Sequence, residues 1–309
     1  MSNIRIINDN CLIVLKSLSH NTIDLLVTSP PYYNAREYSQ WKTVDDYMYD
    51  MRLIFTEVYR TVKNHHYIVV NVGDVTCQVG TAKWSTRKLP LGAMFTMMLE
   101  DIGFEFVDDF IWDKGEPQTK RHLGNPQYPF YQYPVNCYEH ILVMVKHELD
   151  KTKIPCPSCH DVIVSSNSQS GIGVQSWECK NPNCPTKSAH GRGKRFSARS
   201  IMMNDYKTAD NYIDADFISK WRRDIVKITP VIKTNCKGEN TLGHTAPFPE
   251  DIPEMAVRYY SGVGDLVVDP FMGSGTVGVV CKRLNRNFVG MELNADFIRI
   301  AEKRLNAVT

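Results

Sequence analysis

Strand-like and helix-like segments in alternation, a glycine-rich turn between an apolar run and a helix, and one polar interruption predict an α/β fold. The expected architecture is a doubly wound, Rossmann-like sheet of seven strands with a single inserted domain. On this reading residues 1–148 form the first part of the main domain, 149–223 the insert, and 224–309 the second part.

The elements follow in chain order. Residues 4–7 and 23–27 are short apolar runs ending in polar or turn residues, as strands buried on both faces do. Residues 11–18 between them have helical spacing. In 45–63 the positions Met48, Met51, Ile54, Phe55, Val58 and Tyr59 form a helical stripe that core packing explains. Residues 67–72 read as a strand, 89–99 as a helix, and 104–112 and 138–145 as two further strands. The stretch 115–134 is rich in Pro, Gln, Tyr and basic residues and reads as a long exposed loop, of a length usually kept for function. The alternation dissolves near residue 148 and resumes near 224–228. A short helix entered through Pro253, a strand at 265–269, a helix at 276–283, a strand at 287–291 and a helix at 295–305 close the series.

Composition narrows the function classes. Lys plus Arg number 36 and Asp plus Glu 34 in 309 residues, a net charge of +2. That excludes a histone-like or polybasic chain, so contact with nucleic acid must come from a local patch. The apolar 43% and charged 23% are those of a chain that can bury a full core. No apolar run approaches the roughly 18 residues of a membrane span. The opening Met1-Ser2-Asn3-Ile4-Arg5-Ile6 lacks the design of a secretory signal. A cytoplasmic protein without membrane association is expected.

Nine cysteines, an odd number, argue against a disulfide framework. Cys11, Cys77, Cys137, Cys236 and Cys281 are scattered and read as core or near-core thiols. The other four are clustered: Cys156-Pro-Ser-Cys159 and Cys179-Lys-Asn-Pro-Asn-Cys184, with 19 residues between the two pairs. Two short chelating turns supply four soft ligands at tetrahedral corners, which suits structural zinc; the alternative is four free thiols in a loop. The segment Ser165-Ser166-Asn167-Ser168-Gln169-Ser170-Gly171 is too polar to build a core of its own, and a metal would supply that folding energy. From Cys179 to Asn204 no acidic residue occurs, while Lys180, Lys187, Arg192, Lys194, Arg195 and Arg199 are basic. The stretch reads as a phosphate-contacting segment, or else as a solvated loop.

Two motifs carry chemistry. Asp269-Pro270-Phe271-Met272-Gly273-Ser274-Gly275-Thr276 follows a strand and opens a helix, where glycines let a ligand approach backbone N–H groups. Glu292, at the end of the next strand and 17 residues beyond Gly275, stands where ribose hydroxyls are bound in nucleotide-type sites. No Lys-Ser/Thr pair follows the glycines, so the ligand is a nucleoside lacking a triphosphate. In Thr28-Ser29-Pro30-Pro31-Tyr32, two prolines stiffen the backbone and remove two donors. The Pro30 carbonyl and the Ser29 hydroxyl are then free to accept, and Tyr32 offers a flat face. Two acceptors and a ring suit a planar amino group.

Together, and in this order, these motifs resemble the β class of amino-group DNA methyltransferases that use S-adenosylmethionine, a circularly permuted arrangement. The segment Gly243-His244-Thr245-Ala246-Pro247-Phe248-Pro249-Glu250 is similar to that family's helix-entry motif, and Asn8-Asp9 matches its adenine-contacting acid. The resemblance covers residues 3–148 and 224–307. It implies that Phe271, Gly273, Ser274, Gly275 and Thr276, with Asp269 in the same motif, cradle the methionine end of the cofactor. It further implies that Glu292 takes the ribose hydroxyls, Asp9 the adenine amino group, and Phe248 the adenine ring. Ser29 and the Pro30 carbonyl would hold the target amino group, with Pro31 and Tyr32 completing the motif and Tyr32 stacking on the base. The target base would be flipped from duplex DNA. The cysteine segment falls where the family places its target recognition domain. Serine at position 29 is typical of the cytosine-N4 enzymes, whereas adenine-N6 enzymes usually carry Asp or Asn there, so the resemblance implies transfer to cytosine N4 of a specific DNA sequence, with adenine N6 as the alternative. A cognate restriction endonuclease is an expected partner. Arg121, His122, Gln127 and Tyr131 in the long loop, and Lys187, Arg192, Lys194, Arg195 and Arg199 in the insert, are candidate DNA contacts. Rival readings are a methyltransferase acting on RNA or a protein amide, and an inactive scaffold serving as a zinc-dependent DNA-binding protein.

Overall fold

The computed structural model describes residues 2–35, 40–78, 86–115, 136–171, 173–188, 190–231 and 248–308. The described chain runs β1 (Ile4–Ile7), α1 (Cys11–Ser17), β2 (Ile23–Thr28), α2 (Val44–Thr61), β3 (Val62–Val72), β4 (Val75–Gln78), β5 (Thr86–Leu89), α3 (Leu91–Ile102), β6 (Phe104–Asp113) and β7 (Tyr138–Lys146). It continues with β8 (Val164–Gln169), β9 (Gln175–Cys179), β10 (Arg195–Phe196), α4 (Ala198–Asp205), α5 (Ala215–Trp221) and β11 (Ile225–Lys227). The last elements are α6 (Asp251–Tyr260), β12 (Leu266–Asp269), α7 (Thr276–Arg283), β13 (Asn287–Met291) and α8 (Ala295–Ala307). No helix among the described residues is long and apolar enough to cross a membrane.

Among the described residues eight strands, rather than the expected seven, form the main sheet in the order β1-β13-β12-β2-β3-β7-β6-β11. The additional strand is β11, which pairs in parallel with the second half of β6, Ile225 opposite Ile111. Its Ile225-Val226-Lys227 lies where the alternation resumes near 224–228, but the run is short and only Val226 is buried, so it is not counted among the seven. Strand β7 alone runs antiparallel to its neighbours β3 and β6. A second difference lies before α3. Residues 86–89 pair with β4 as a hairpin, and the helix begins only at Leu91, because Pro90 stands at its cap.

The sheet is wound on both faces, and the alternation of side chains in its strands shows how. Leu26, Ile68, Val70, Leu142 and Met144 point to one side and pack with α1, α2 and α3. Leu25, Val27, Val69, Ile141 and Val143 point to the other and meet α6, α7 and Trp221. Local chemistry sets the helix starts. The Asn10 side chain accepts from Leu12 N, and Thr43 with Asp46 forms a capping box on α2. Among the scattered cysteines, Cys11 and Cys281 are buried as expected, Cys77 and Cys137 are half-buried, and Cys236 lies outside the described residues.

The insert holds a three-stranded sheet, β10-β9-β8, over a small core of Cys156, Val164, Trp177, Cys179, Cys184 and Phe196. The serine run is therefore not a coreless loop. It forms β8, and the apolar residues come from its flanks, while Ser168 and Ser176 bond across the sheet at 2.9 Å. The insert is anchored at the amino edge of the main sheet. There the Tyr206 hydroxyl donates to Asp265, just before β12, at 2.8 Å, and Val263 N donates to Asn211 at 2.9 Å.

At the opposite, carboxyl edge, β2 and β12 lie side by side, and a single buried carboxylate ties their ends together. Asp269 Oδ1 accepts from the Thr28 hydroxyl at 2.6 Å and from Phe271 N at 3.0 Å. Burial pushes its pKa up to about 7, with the Glu292 charge adding to the shift, against those two hydrogen bonds. An unfolded Asp titrates near about 3.9, so between about pH 4 and 7 the native state holds a proton that the unfolded state has released. This contribution to stability is fully present below the unfolded value and is lost as pH rises through the folded one. Asp269→Asn keeps an acceptor for both donors and removes the titration. We expect it to gain roughly 1–3 kcal/mol on wild type between pH 5 and pH 8. Urea denaturation at the two pH values measures the difference.

Candidate active site

The carboxyl ends of the parallel strands open onto a cleft of about 1090 Å³. Its position follows from topology: β12 leads through α7 to β13 on one side, β2 leads through α2 to β3 on the other, and the crevice opens between them. Residues separated by more than 200 positions meet there.

On the glycine side, Gly273 and Gly275 adopt φ of 53° and 78°, left-handed conformations that favour glycine. A Cβ on Gly275 would come within 2.9 Å of Ala301 Cβ, so α8 packs directly on the turn. Arg304 of α8 holds the same turn, donating to Ser274 O at 2.9 Å and Thr276 Oγ1 at 3.0 Å, while Glu250 accepts from it at 3.2 Å. The Glu292 carboxylate faces the cleft between two backbone donors, Gly273 N at 2.9 Å and Asn294 N at 2.8 Å. Asn8 pins the strand end that carries Glu292 by donating to its carbonyl at 2.9 Å. Asp9 beside it is exposed and accepts from Asn10 N at 2.7 Å.

On the proline side, Ser29, Pro30, Pro31 and Tyr32 line the wall. The Tyr32 hydroxyl donates to Glu139 Oε2 at 2.7 Å and lies 3.4 Å from Ser29 Oγ. Burial, followed by the Glu139 charge, raises the Tyr32 pKa well above that of an ordinary phenol, so the hydroxyl keeps its proton. Asn71, buried at the end of β3, donates to both Tyr32 OH at 3.2 Å and Glu139 Oε2 at 2.7 Å. The Lys114 ammonium bonds the other Glu139 oxygen and sits 5.2 Å from the Trp112 ring centroid.

The two expected groups thus share one cavity: Phe248, Phe271, Gly273, Ser274 and Thr276 line it along with Asp9, Glu292 and the Ser-Pro-Pro-Tyr residues. Asp269 and Gly275 do not line it. They lie behind the wall, one as the tie to Thr28 and the other as the seat of α8. Sequence reasoning missed Asn71, Lys114, Glu139 and Arg304. The first three flank apolar strand runs at the carboxyl edge, a weak signal that only the strand order could have sharpened.

The candidate DNA contacts are dispersed. Arg121, His122, Gln127 and Tyr131 lie outside the described residues, as do Gly243 to Pro247 of the helix-entry motif. Arg192, Lys194 and Arg195 are exposed on the insert, and Lys187 is half-buried with its ammonium 3.4 Å from Asn181 O. Arg199 is half-buried and its charge acts on His65 and His147 at the amino edge of the sheet. None of these five lines the cleft.

The four clustered cysteines converge. All their sulfurs lie within 4.8 Å of one another, with Cys156 to Cys184 at 3.9 Å and Cys159 to Cys179 at 3.6 Å. Tetrahedral zinc with Zn–S near 2.3 Å would set sulfurs about 3.8 Å apart, so the donor set fits that ion.

Residues 23–303 match the sequence family N6_N4_Mtase, described as DNA methylase. The type II beta methyltransferase M.BslI of a Bacillus species is 33% identical over 97% of this chain, which spans 27% of that protein's length. Among solved structures, a DNA modification methylase of Thermus thermophilus in complex with S-adenosyl-L-methionine superposes with a TM-score of 0.62 at 20% identity, covering 99% of this chain and 95% of that one. PvuII DNA methyltransferase, described as cytosine-N4-specific, gives 0.61 at 17% identity, covering 100% and 89%. With the family match spanning nearly the whole chain and both motifs facing one cleft, this protein belongs to the N6_N4_Mtase family of DNA methylases, with the motif order of its β class.

Proposed function

We propose that this chain transfers a methyl group from S-adenosylmethionine to the exocyclic N4 amino group of a cytosine flipped out of duplex DNA. The observation that carries this reading is a neutral hydroxyl, Ser29, lining the same cavity as the glycine turn and Glu292. The cavity fits the cofactor. Glu292 faces it as a carboxylate suited to vicinal hydroxyls, Asp9 would take the adenine amino group, and Phe248 would pack on its ring. The left-handed turn of Gly273 and Gly275, with Phe271, Ser274 and Thr276, forms the cradle for the amino-acid end. When bound, S-adenosylmethionine supplies an electrophilic methyl on a sulfonium centre.

The chain's own residues supply position. An exocyclic amino nitrogen is conjugated with its ring and is a poor nucleophile. Ser29 Oγ and the Pro30 carbonyl accept its two hydrogens and draw it toward a tetrahedral shape, freeing the lone pair. Tyr32 stacks on the ring and fixes its plane. Holding the two reactants in line provides most of the acceleration.

Residues 149–223 form, in this reading, a module stapled by zinc on Cys156, Cys159, Cys179 and Cys184. A four-thiolate site leaves no open position, so the metal's role there is structural. Arg192, Lys194 and Arg195 offer exposed charge to a phosphate backbone outside the base pocket, with Lys187 and Arg199 contributing from the same acid-free stretch. Pairing with a restriction endonuclease in a modification system is in keeping with this activity.

Nucleoside mass spectrometry on unmethylated plasmid DNA incubated with the protein and S-adenosylmethionine should reveal N4-methylcytosine. N6-methyladenine instead would show that Ser29 does not set the base, and methylation of RNA or protein alone would overturn the reading. Ser29→Ala removes one of two acceptors and should lower kcat about 10- to 100-fold while sparing cofactor affinity. Metal analysis should find one zinc per chain in wild type and none in Cys179→Ser, whose insert becomes protease-sensitive. A metal-free wild type with an intact insert would remove zinc from the account.

A further inference from the structure

We propose that Glu139 is a positioning residue that fixes the direction of a hydrogen-bond chain, Ser29 to Tyr32 to Glu139, and thereby makes Ser29 present only lone pairs to the target amino group. This rests on the functional reading above. A hydroxyl both donates and accepts, so Ser29 alone has no preference between holding an amino hydrogen and pushing its own hydrogen at the base. The wrong choice would oppose methyl transfer, because a donor aimed at the amino nitrogen occupies the lone pair that must attack.

The geometry removes the choice. A carboxylate accepts only, so at 2.7 Å the Tyr32 hydroxyl must be the donor to Glu139 Oε2. Its single proton is then spent, and both of its lone pairs are open. Asn71 Nδ2 donates to one at 3.2 Å. The remaining neighbour is Ser29 Oγ at 3.4 Å, which can therefore only donate to Tyr32. A contact of that length in the free protein tightens when a ligand closes the site. With its hydrogen turned away, Ser29 faces the cleft as an acceptor.

Glu139 is itself held in place. Lys114 bonds Oε1, Asn71 donates to Oε2 at 2.7 Å, and the bare backbone of Gly73, where a Cβ would come within 2.9 Å of Glu139 Cγ, lets the side chain pack against it. Its side chain keeps 13% exposure, and the Tyr32 ring is braced through the same bond. Through that one bond the anchor sets the polarity of the neighbouring hydroxyl.

The test measures kcat on unmethylated plasmid DNA, cofactor affinity by calorimetry, and base flipping by the fluorescence of 2-aminopurine at the target position. Glu139→Gln and Tyr32→Phe should each lower kcat about 10- to 100-fold, the range for a hydrogen bond to a charged group, with affinity and flipping unchanged. In a Ser29→Ala background, neither substitution should lower kcat further, because no hydroxyl is left to orient. A merely structural role would instead persist in that background, and an equal loss there overturns the proposal. So does wild-type kcat in Tyr32→Phe, the variant that decides the matter if Glu139→Gln fails to fold. A wild type that binds cofactor but methylates no DNA overturns the functional reading and this one together. An active wild type with the wrong variant pattern overturns only this one.

Discussion

The bond between Thr28 and Asp269 joins two strand ends that lie 241 residues apart in the chain, and the cleft is organised around it. Thr28 is the last residue of β2, so its position sets where Ser29 and Pro30 emerge. Asp269 is the last residue of β12, and through Phe271 N it also sets where the glycine turn starts. Because β2 and β12 are adjacent in the sheet, this one carboxyl fixes the distance between the proline wall and the glycine wall of the cleft. A buried carboxyl with a raised pKa costs stability at neutral pH, and its retention at the junction is understandable as geometry bought with that cost.

Much of the fold was legible because parallel strands write themselves as apolar runs, buried on both faces in β2 but only partly buried in β1, which lies at the sheet edge with Arg5 exposed. The runs at 4–7, 23–27 and 287–291, with the helices between and after them, lie where the pattern put them. The failures share a cause. Strand β11 has one buried residue in three, and the serine strand β8 borrows its core from Val164, Trp177 and Phe196. In both, tertiary partners rather than local hydrophobicity decide the structure, and period-counting registers only the latter.

The site divides along the same line. Backbone-determined features were readable: glycines at left-handed turns, prolines that strip donors, and an acid closing a strand. Side chains that matter through their neighbours were not. Glu139 and Asn71 stand on strands that run in opposite directions, and nothing in either local sequence announces that both meet the Tyr32 hydroxyl. The insert shows a further limit. Its metal-ligand spacing was plain, yet its anchorage at the amino edge, through Tyr206 and Asp265, depends on where β7 delivers the chain, and that follows from the antiparallel turn of one strand.

Strand β1 adds a temporal dimension to the architecture. Among the described residues it hydrogen-bonds within the sheet only to β13, and Asn8 reaches the Glu292 carbonyl across 284 residues of sequence. During synthesis, the segment that carries Asp9 therefore has no sheet neighbour until β13 has been made. Contacts of such separation are slow to form, since loop closure must precede any gain from pairing. A ribosome-bound chain interrupted before β13 would lack Glu292 and would hold both β1 and the Asp9 segment unpaired, with one edge of the cleft still open.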